Sequence, residues 1–256
     1  YDQTFLSKPQ IDNKTGMDAA EQLSEIFRAV APLYKKRDKI YREVAGLLCE
    51  KGIAHPQMES LTAEERSFAE KYFIADVLPV LSPQIINAHH PFPHLVNKAL
   101  YIVLQMKISD KTAYGIIPMP AMQDRLIFLP GSGMRYVLLE ELIYQYAERV
   151  FDNCEINAKS IICVTRNADI NVDGLPDEDE DFRHHMKKVL RKRSRLAPVR
   201  LEHCGPIHDK LEKFLRGKLE LKKEQVFQSS APLEMSYVFP LLDKVPDRTG
   251  CHVCAV

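Results

Sequence analysis

Several groups of side chains in this sequence have the types and spacing that chemistry uses. Three histidines, His89, His90 and His94, stand among prolines in VLPVLSPQIINAHHPFPHLVNKALYIVLQMK, residues 77–107. Imidazoles bind transition metals when they converge, usually with carboxylates or thiolates beside them. Here the prolines hold the backbone extended, neighbouring side chains point to opposite faces, and the segment has no acidic residue. It reads as an ordered loop that packs Phe92 and leads into a strand. CHVC, residues 251–254, is half a zinc site without a second half at a familiar spacing, and reads as a mobile or intermolecular thiol pair. NADINVDGLPDEDED fits a calcium-loop register, with Asp169, Asn171 and Asp173 as early oxygen ligands, Gly174 at the turn and Glu180 closing it. A strand, not a helix, is expected before it, so a solvated acidic turn is preferred and those four residues are weak metal candidates. Arg166 leaves an apolar strand in VTRNAD, where it could serve an ion pair or an anion; the ion pair is preferred. The basic run KKVLRKRSR, residues 187–195, suits a polyphosphate or RNA backbone but reads first as the wet end of a helix.

The signatures of self-contained active sites do not occur. Gly131-Ser132-Gly133 lacks the lysine of a phosphate-binding loop, and there is no G-x-S-x-G nucleophile turn. Lysine plus arginine balance aspartate plus glutamate, 35 against 35, which argues against a general nucleic-acid binder. No apolar run approaches the roughly 20 residues that span a bilayer. The opening YDQTFLSKPQ has neither an initiator methionine nor a signal layout. The expectation is a cytoplasmic protein, free or peripheral to the membrane, and a piece of a longer one. Its six cysteines are too sparse for a disulfide framework, and Cys163 inside SIICV reads as a buried reduced thiol.

The elements that must position these groups fall in two parts. Asp18 with Glu21 and Thr62 with Glu65 are spaced as capping boxes, each ahead of an apolar periodic run. Pro32 either starts a second helix or kinks a long one. Residues 1–78 therefore read as a helical bundle or hairpin. KALYIVLQMKI, AYGIIPMP, RLIFLP, KSIICVTR and PVRLEHC read as strands, and YVLLEELIYQYAERVF, residues 177–194 and IHDKLEKFLRGKLEL as helices. Residues 79–256 then form an α+β domain with a mixed, largely antiparallel sheet.

Four motifs carry a resemblance. They are P-x-L-S-P at Pro79–Pro83, HPFP-x-x-x-N at His90, Pro91, Phe92, Pro93 and Asn97, Leu129-Pro130 followed by YVLLEELI with Glu140, and VTRNAD with Arg166, Asn167 and Asp169. Their order and spacing resemble the polyphosphate kinase family, over nearly the whole chain. The resemblance implies a parent enzyme that reversibly moves the ATP γ-phosphate to inorganic polyphosphate through a phosphohistidine, using ATP and magnesium. It implies that the phosphorylated histidine lies downstream of Val256 and a nucleotide-binding asparagine upstream of Tyr1, so that this chain holds no catalytic residue, cofactor site or metal. The family's head domain serves dimerisation and shapes the polyphosphate path. His89, His90 and His94 are then structural, near a subunit contact. Self-association is expected, and neither a membrane span nor a nucleic-acid partner is. A stand-alone scaffold or polyanion-binding module is the alternative.

Overall fold

Residues 11, 14–87, 90–108, 111–151, 154–166 and 197–245 are described in the computed structural model. The chain is α+β: a long helix followed by two mixed sheets with helices packed on them.

Helix α1, Ala19–Glu50, runs about 48 Å at ~1.5 Å per residue. Asp18 starts it by accepting from the amides of Ala20 and Glu21, both at 2.8 Å, while Glu21 reaches back to the Asp18 amide at 3.0 Å. Pro32 lies inside it and does not end it. Phe27, Tyr34 and Tyr41 recur at seven-residue spacing on both sides of the proline, and all three contact the body of the protein. Continuing the helix keeps that face in register, which outweighs one missing backbone hydrogen bond. After β1, Ile53–Ala54, the Thr62–Glu65 box starts α2, Ala63–Tyr72. A widened turn, Phe73–Val77, and a tight one, Leu78–Val80, extend it.

The main sheet has the order β2-β4-β3-β7-β8-β9. Its strands are β2 Gln84–Ile86, β3 Leu100–Ile108, β4 Lys111–Pro118, β7 Glu155–Arg166, β8 Pro198–Cys204 and β9 Val226–Ser229. All pairings are antiparallel except β8 with β9. Alternation divides its side chains between two cores. On one face Ile102, Ile117 and Ile161 sit in register and meet Ala69, Phe73 and Val77 together with Leu139, Leu142 and Ile143 of α3, Leu139–Gln145. On the other face Val103, Ile116, Val164 and Leu201 meet Leu211, Leu215 and Leu219 of α4, Asp209–Leu219. Covering both faces explains why β3 is apolar without alternation.

A smaller sheet, β1-β6-β5, uses β5 Leu126–Phe128 and β6 Met134–Leu138, and α5, Val238–Lys244, packs on it. The loop between β5 and β6 turns through Gly131 and Gly133, both at positive φ. The expected helix from Tyr136 to Phe151 divides here. Its first residues are extended and pair with β5, and the helix begins only after Leu138, whose amide donates to the Glu141 carboxylate at 3.0 Å. An apolar run of that length suits either state; pairing with β5 across a short loop and with β1, far earlier in the chain, decides it.

Candidate functional site

The proline-rich loop ends in a set of backbone anchors. The Asn87 amide donates to the His90 carbonyl at 2.9 Å and the His90 amide to Asn87 Oδ1 at 2.8 Å, closing a turn. His90, Pro91 and His94 are exposed and Pro93 is half-buried. Phe92 stands edge-on to Phe214, ring centroids 6.1 Å apart, and Leu95 is fully buried. Asn97 Oδ1 then accepts from the Arg166 amide at 2.8 Å, and Arg166 Nε donates to the Leu95 carbonyl at 2.6 Å. The loop is thereby fastened to the end of β7.

That fastening sets the next residue. The Lys98 amide donates to the Val164 carbonyl at 2.8 Å, with Lys98 held at φ 60°, a left-handed conformation that costs a non-glycine residue about 1–2 kcal/mol. Its side chain lines a cleft of 510 Å³ between α1 and the main sheet. Leu33, Tyr34 and Arg37 face the cleft from α1, and Arg200 and Glu202 from β8. Glu202 is buried and takes the Tyr34 hydroxyl at 2.6 Å. Arg200 Nη2 stands 3.3 Å from its carboxylate and Arg37 Nη1 3.7 Å. Arg200 also donates to Thr165 Oγ1, while Arg37 Nε and Nη2 are buried with no hydrogen-bond partner. The Arg37 guanidinium lies over the Tyr34 ring, 4.7 Å from its centroid, and the Phe227 ring stacks on Tyr34 with centroids also 4.7 Å apart. Burial, then the Glu202 hydrogen bond, hold the Tyr34 hydroxyl well above the ordinary tyrosine range. Burial pushes the Cys163 thiol, also on the cleft wall, up to about 12, so it stays protonated and is a poor nucleophile.

α1 is held over the cleft by Asp38. Its carboxylate accepts from the hydroxyls of Ser229 and Ser230, both at 2.9 Å, and from the amides of Ser230 and Ala231 at 2.7 and 3.3 Å. Burial alone would raise its pKa; these donors, the Ser230 amide foremost, outweigh burial and lower it below 3.8. A depressed folded-state value contributes stability above pH 3.8 that is lost as the pH falls through it. Chemical denaturation between pH 5 and 2 should therefore show an acid-induced loss that is smaller in Asp38→Asn. Equal losses in both proteins would contradict the assignment.

Four likenesses bear on the chain. The family description "Polyphosphate kinase middle domain" matches residues 64–241. The chain belongs to the polyphosphate kinase family. A polyphosphate kinase of Bacillus cereus is 32% identical over 255 residues, covering 95% of this chain and 36% of that protein. One from Halalkalibacterium halodurans is 32% identical over 250 residues, covering 94% and 34%. The chain thus spans about a third of the length of the curated relatives it matches. The crystal structure of polyphosphate kinase from Porphyromonas gingivalis superposes with a TM-score of 0.65 at 18% identity, over 90% of this chain and 34% of that one. At that identity the likeness shows a shared fold.

Within the motifs that resemble the polyphosphate kinase family, Glu140 is buried and bound by Arg125, whose Nε lies 3.1 Å from both carboxylate oxygens and whose Nη2 lies 2.6 Å from Oε1. Arg125 also bonds the Glu234 carboxylate and carbonyl, joining α3 to the segment before α5. Behind it His55 is packed between Tyr41 on Nδ1 and Glu141 on Nε2, both at 2.7 Å, and stacks on Tyr136. A carboxylate can only accept, so the Nε2 proton points to Glu141.

His89, Asn167, Asp169, Asn171, Asp173, Glu180, the basic run, the helix expected over 177–194 and CHVC lie outside the described residues. Among the described residues no group of three His, Cys, Asp or Glu could hold a metal ion. Nor is any helix among them long and apolar enough to cross a membrane. Sequence reasoning missed Arg37, Lys98, Arg200 and Glu202. Two signals were present: Arg200 and Glu202 are charges two apart on one face of a strand, and Arg37 interrupts an apolar helical stripe.

Proposed function

We propose that this chain is the non-catalytic helical and head portion of an enzyme that reversibly transfers the ATP γ-phosphate to inorganic polyphosphate through a phosphohistidine. The parent enzyme uses ATP and magnesium in the cytoplasm. An imidazole attacks the γ-phosphate in line while magnesium and arginines offset the developing charge, and the end of the growing chain then attacks the phosphohistidine. In this reading residues 1–78 form the helical part and 79–256 the head, and together they serve self-association and shape the polyphosphate path. The observation that carries the reading is the match to the polyphosphate kinase middle domain over 64–241.

Self-association draws support from α1. Ile26, Leu33, Ile40 and Leu47 repeat at seven-residue spacing and are 46–61% exposed, an apolar stripe beside the face that docks on the sheets. Such a spacing supplies one of the two apolar positions per seven residues on which a helix pair closes. Leu33→Glu with Ile40→Glu should shift the chain to monomers in sedimentation velocity without changing its helix content. A wild-type chain that is monomeric at every concentration would remove self-association from the proposal.

A further inference from the structure

We propose that the cleft between α1 and the main sheet is a binding site for the phosphoryl group of a phosphorylated ligand, held by Arg37, Lys98 and Arg200. The inference deepens the proposed function, naming where this portion would grip a phosphorylated chain, and to that extent rests on it.

Charge is the first support. Three cations line the cleft, and the nearest carboxylate, Glu202, is shared by two guanidiniums and the Tyr34 hydroxyl. The other lining carboxylate, Glu234, is committed to Arg125 and to the amide and hydroxyl of Ser236. Asp38 lies 3.8 Å from Arg37 Nε but already accepts from the segment 229–231. Lys98 forms no ion pair among the described residues.

Unmet donors are the second. Buried polar groups are nearly always paired, yet Arg37 Nε and Nη2 have no hydrogen-bond partner, and the guanidinium's nearest contacts are the Glu202 carboxylate at 3.7 Å and the Tyr34 ring, which leaves its charge incompletely matched. Arginine suits a phosphoryl ligand because its planar fork matches phosphate oxygens, and Lys98 adds a point charge.

Backbone geometry is the third. Lys98 is one of two non-glycine residues at positive φ among the described residues, and the hydrogen bonds of its own amide to Val164 and of the preceding Asn97 to Arg166 hold it there. Strain maintained by its surroundings and directing a cation into a cleft is an arrangement found at ligand sites. The volume, 510 Å³, suits a small phosphorylated molecule or a few residues of an inorganic chain. Leu33, Leu233 and Met235 on the wall leave room for an organic part as well.

The test is calorimetric titration of the 256-residue chain with inorganic tripolyphosphate, with ADP, and with adenosine as the uncharged control. The expected result is binding of tripolyphosphate or ADP, the tighter of the two naming the source of the phosphoryl group, with no binding of adenosine. Lys98→Asn should weaken that binding roughly tenfold, since asparagine tolerates the left-handed backbone and removes only the charge. Lys213→Asn, exposed on α4, should leave it unchanged. Failure of both phosphates to bind, or binding that Lys98→Asn and Arg37→Gln leave intact, overturns the site. Polymer synthesis by the longer parent with no binding here would sink the cleft alone. Binding here with no synthesis by the parent would keep the site and sink the kinase reading.

Discussion

Arg125→Met should cost the fold about 3–5 kcal/mol, because it leaves the Glu140 carboxylate buried without its cation. The Glu140 side chain is 4% exposed and takes three of its hydrogen bonds from Arg125. A charge left there must either drag water into the core or take up a proton, and both are unfavourable. The loss reaches further than one pair, since Arg125 also ties down Glu234 and lies over the Tyr237 ring, 5.4 Å from its centroid. Arg125→Met combined with Glu140→Leu should recover most of the loss, because an apolar pair of similar volume often equals a buried ion pair. Urea denaturation of the two single variants and the double decides it. A single-variant cost below ~1 kcal/mol would mean that Glu140 finds water or another cation.

Phe73→Ala should be as damaging, at about 3–5 kcal/mol. Phe73 has no exposed surface, lies in the widened turn after α2, and meets the Tyr146 ring at 5.2 Å within the core that α2, α3 and the main sheet share. Removing the ring opens a cavity in a place where three elements meet and none can move in alone. Phe68→Ala, one turn earlier, is the control: that ring is 37% exposed, and its loss should cost under ~1 kcal/mol. Thermal unfolding should stay a single transition in both variants. A separate early transition in Phe73→Ala would mean that α2 unfolds independently of the sheet.

What could be read from the sequence follows the range of the interactions involved. The two capping boxes were legible because a cap is settled within four residues, and Asp18–Glu21 and Thr62–Glu65 form as their spacing suggests. β3 and β7 were legible because strands buried on both faces are rich in branched apolar residues. β1, β2 and β9 were not: each has two to four residues, and partners far along the chain make them strands. YVLLEELI misled because its apolar residues fit a helical period, while pairing of β6 with β5 outweighs local preference up to Leu138.

The site shows the same division. Asn97 stood out only through a motif of a resembled family and Arg166 also as a cation leaving an apolar strand, and the fold brings them together across 69 residues of sequence. The cleft was invisible because Arg37, Lys98, Arg200 and Glu234 come from four separate stretches of chain. No spacing rule joins such residues; only the docking of α1 through Asp38 and Tyr34 does.

The central claim is that this chain works as part of a larger polyphosphate kinase, and one capture experiment tests it most directly. Antibody raised against the chain would recover the native protein from its source cells, and the recovered protein would be sized and incubated with labelled ATP and magnesium. The account predicts a polypeptide far larger than 29.4 kDa that acquires an acid-labile phosphate and makes acid-insoluble polymer, while the 256-residue chain alone makes none. A native protein of about the chain's own size, or polymer made by the chain alone, would contradict it.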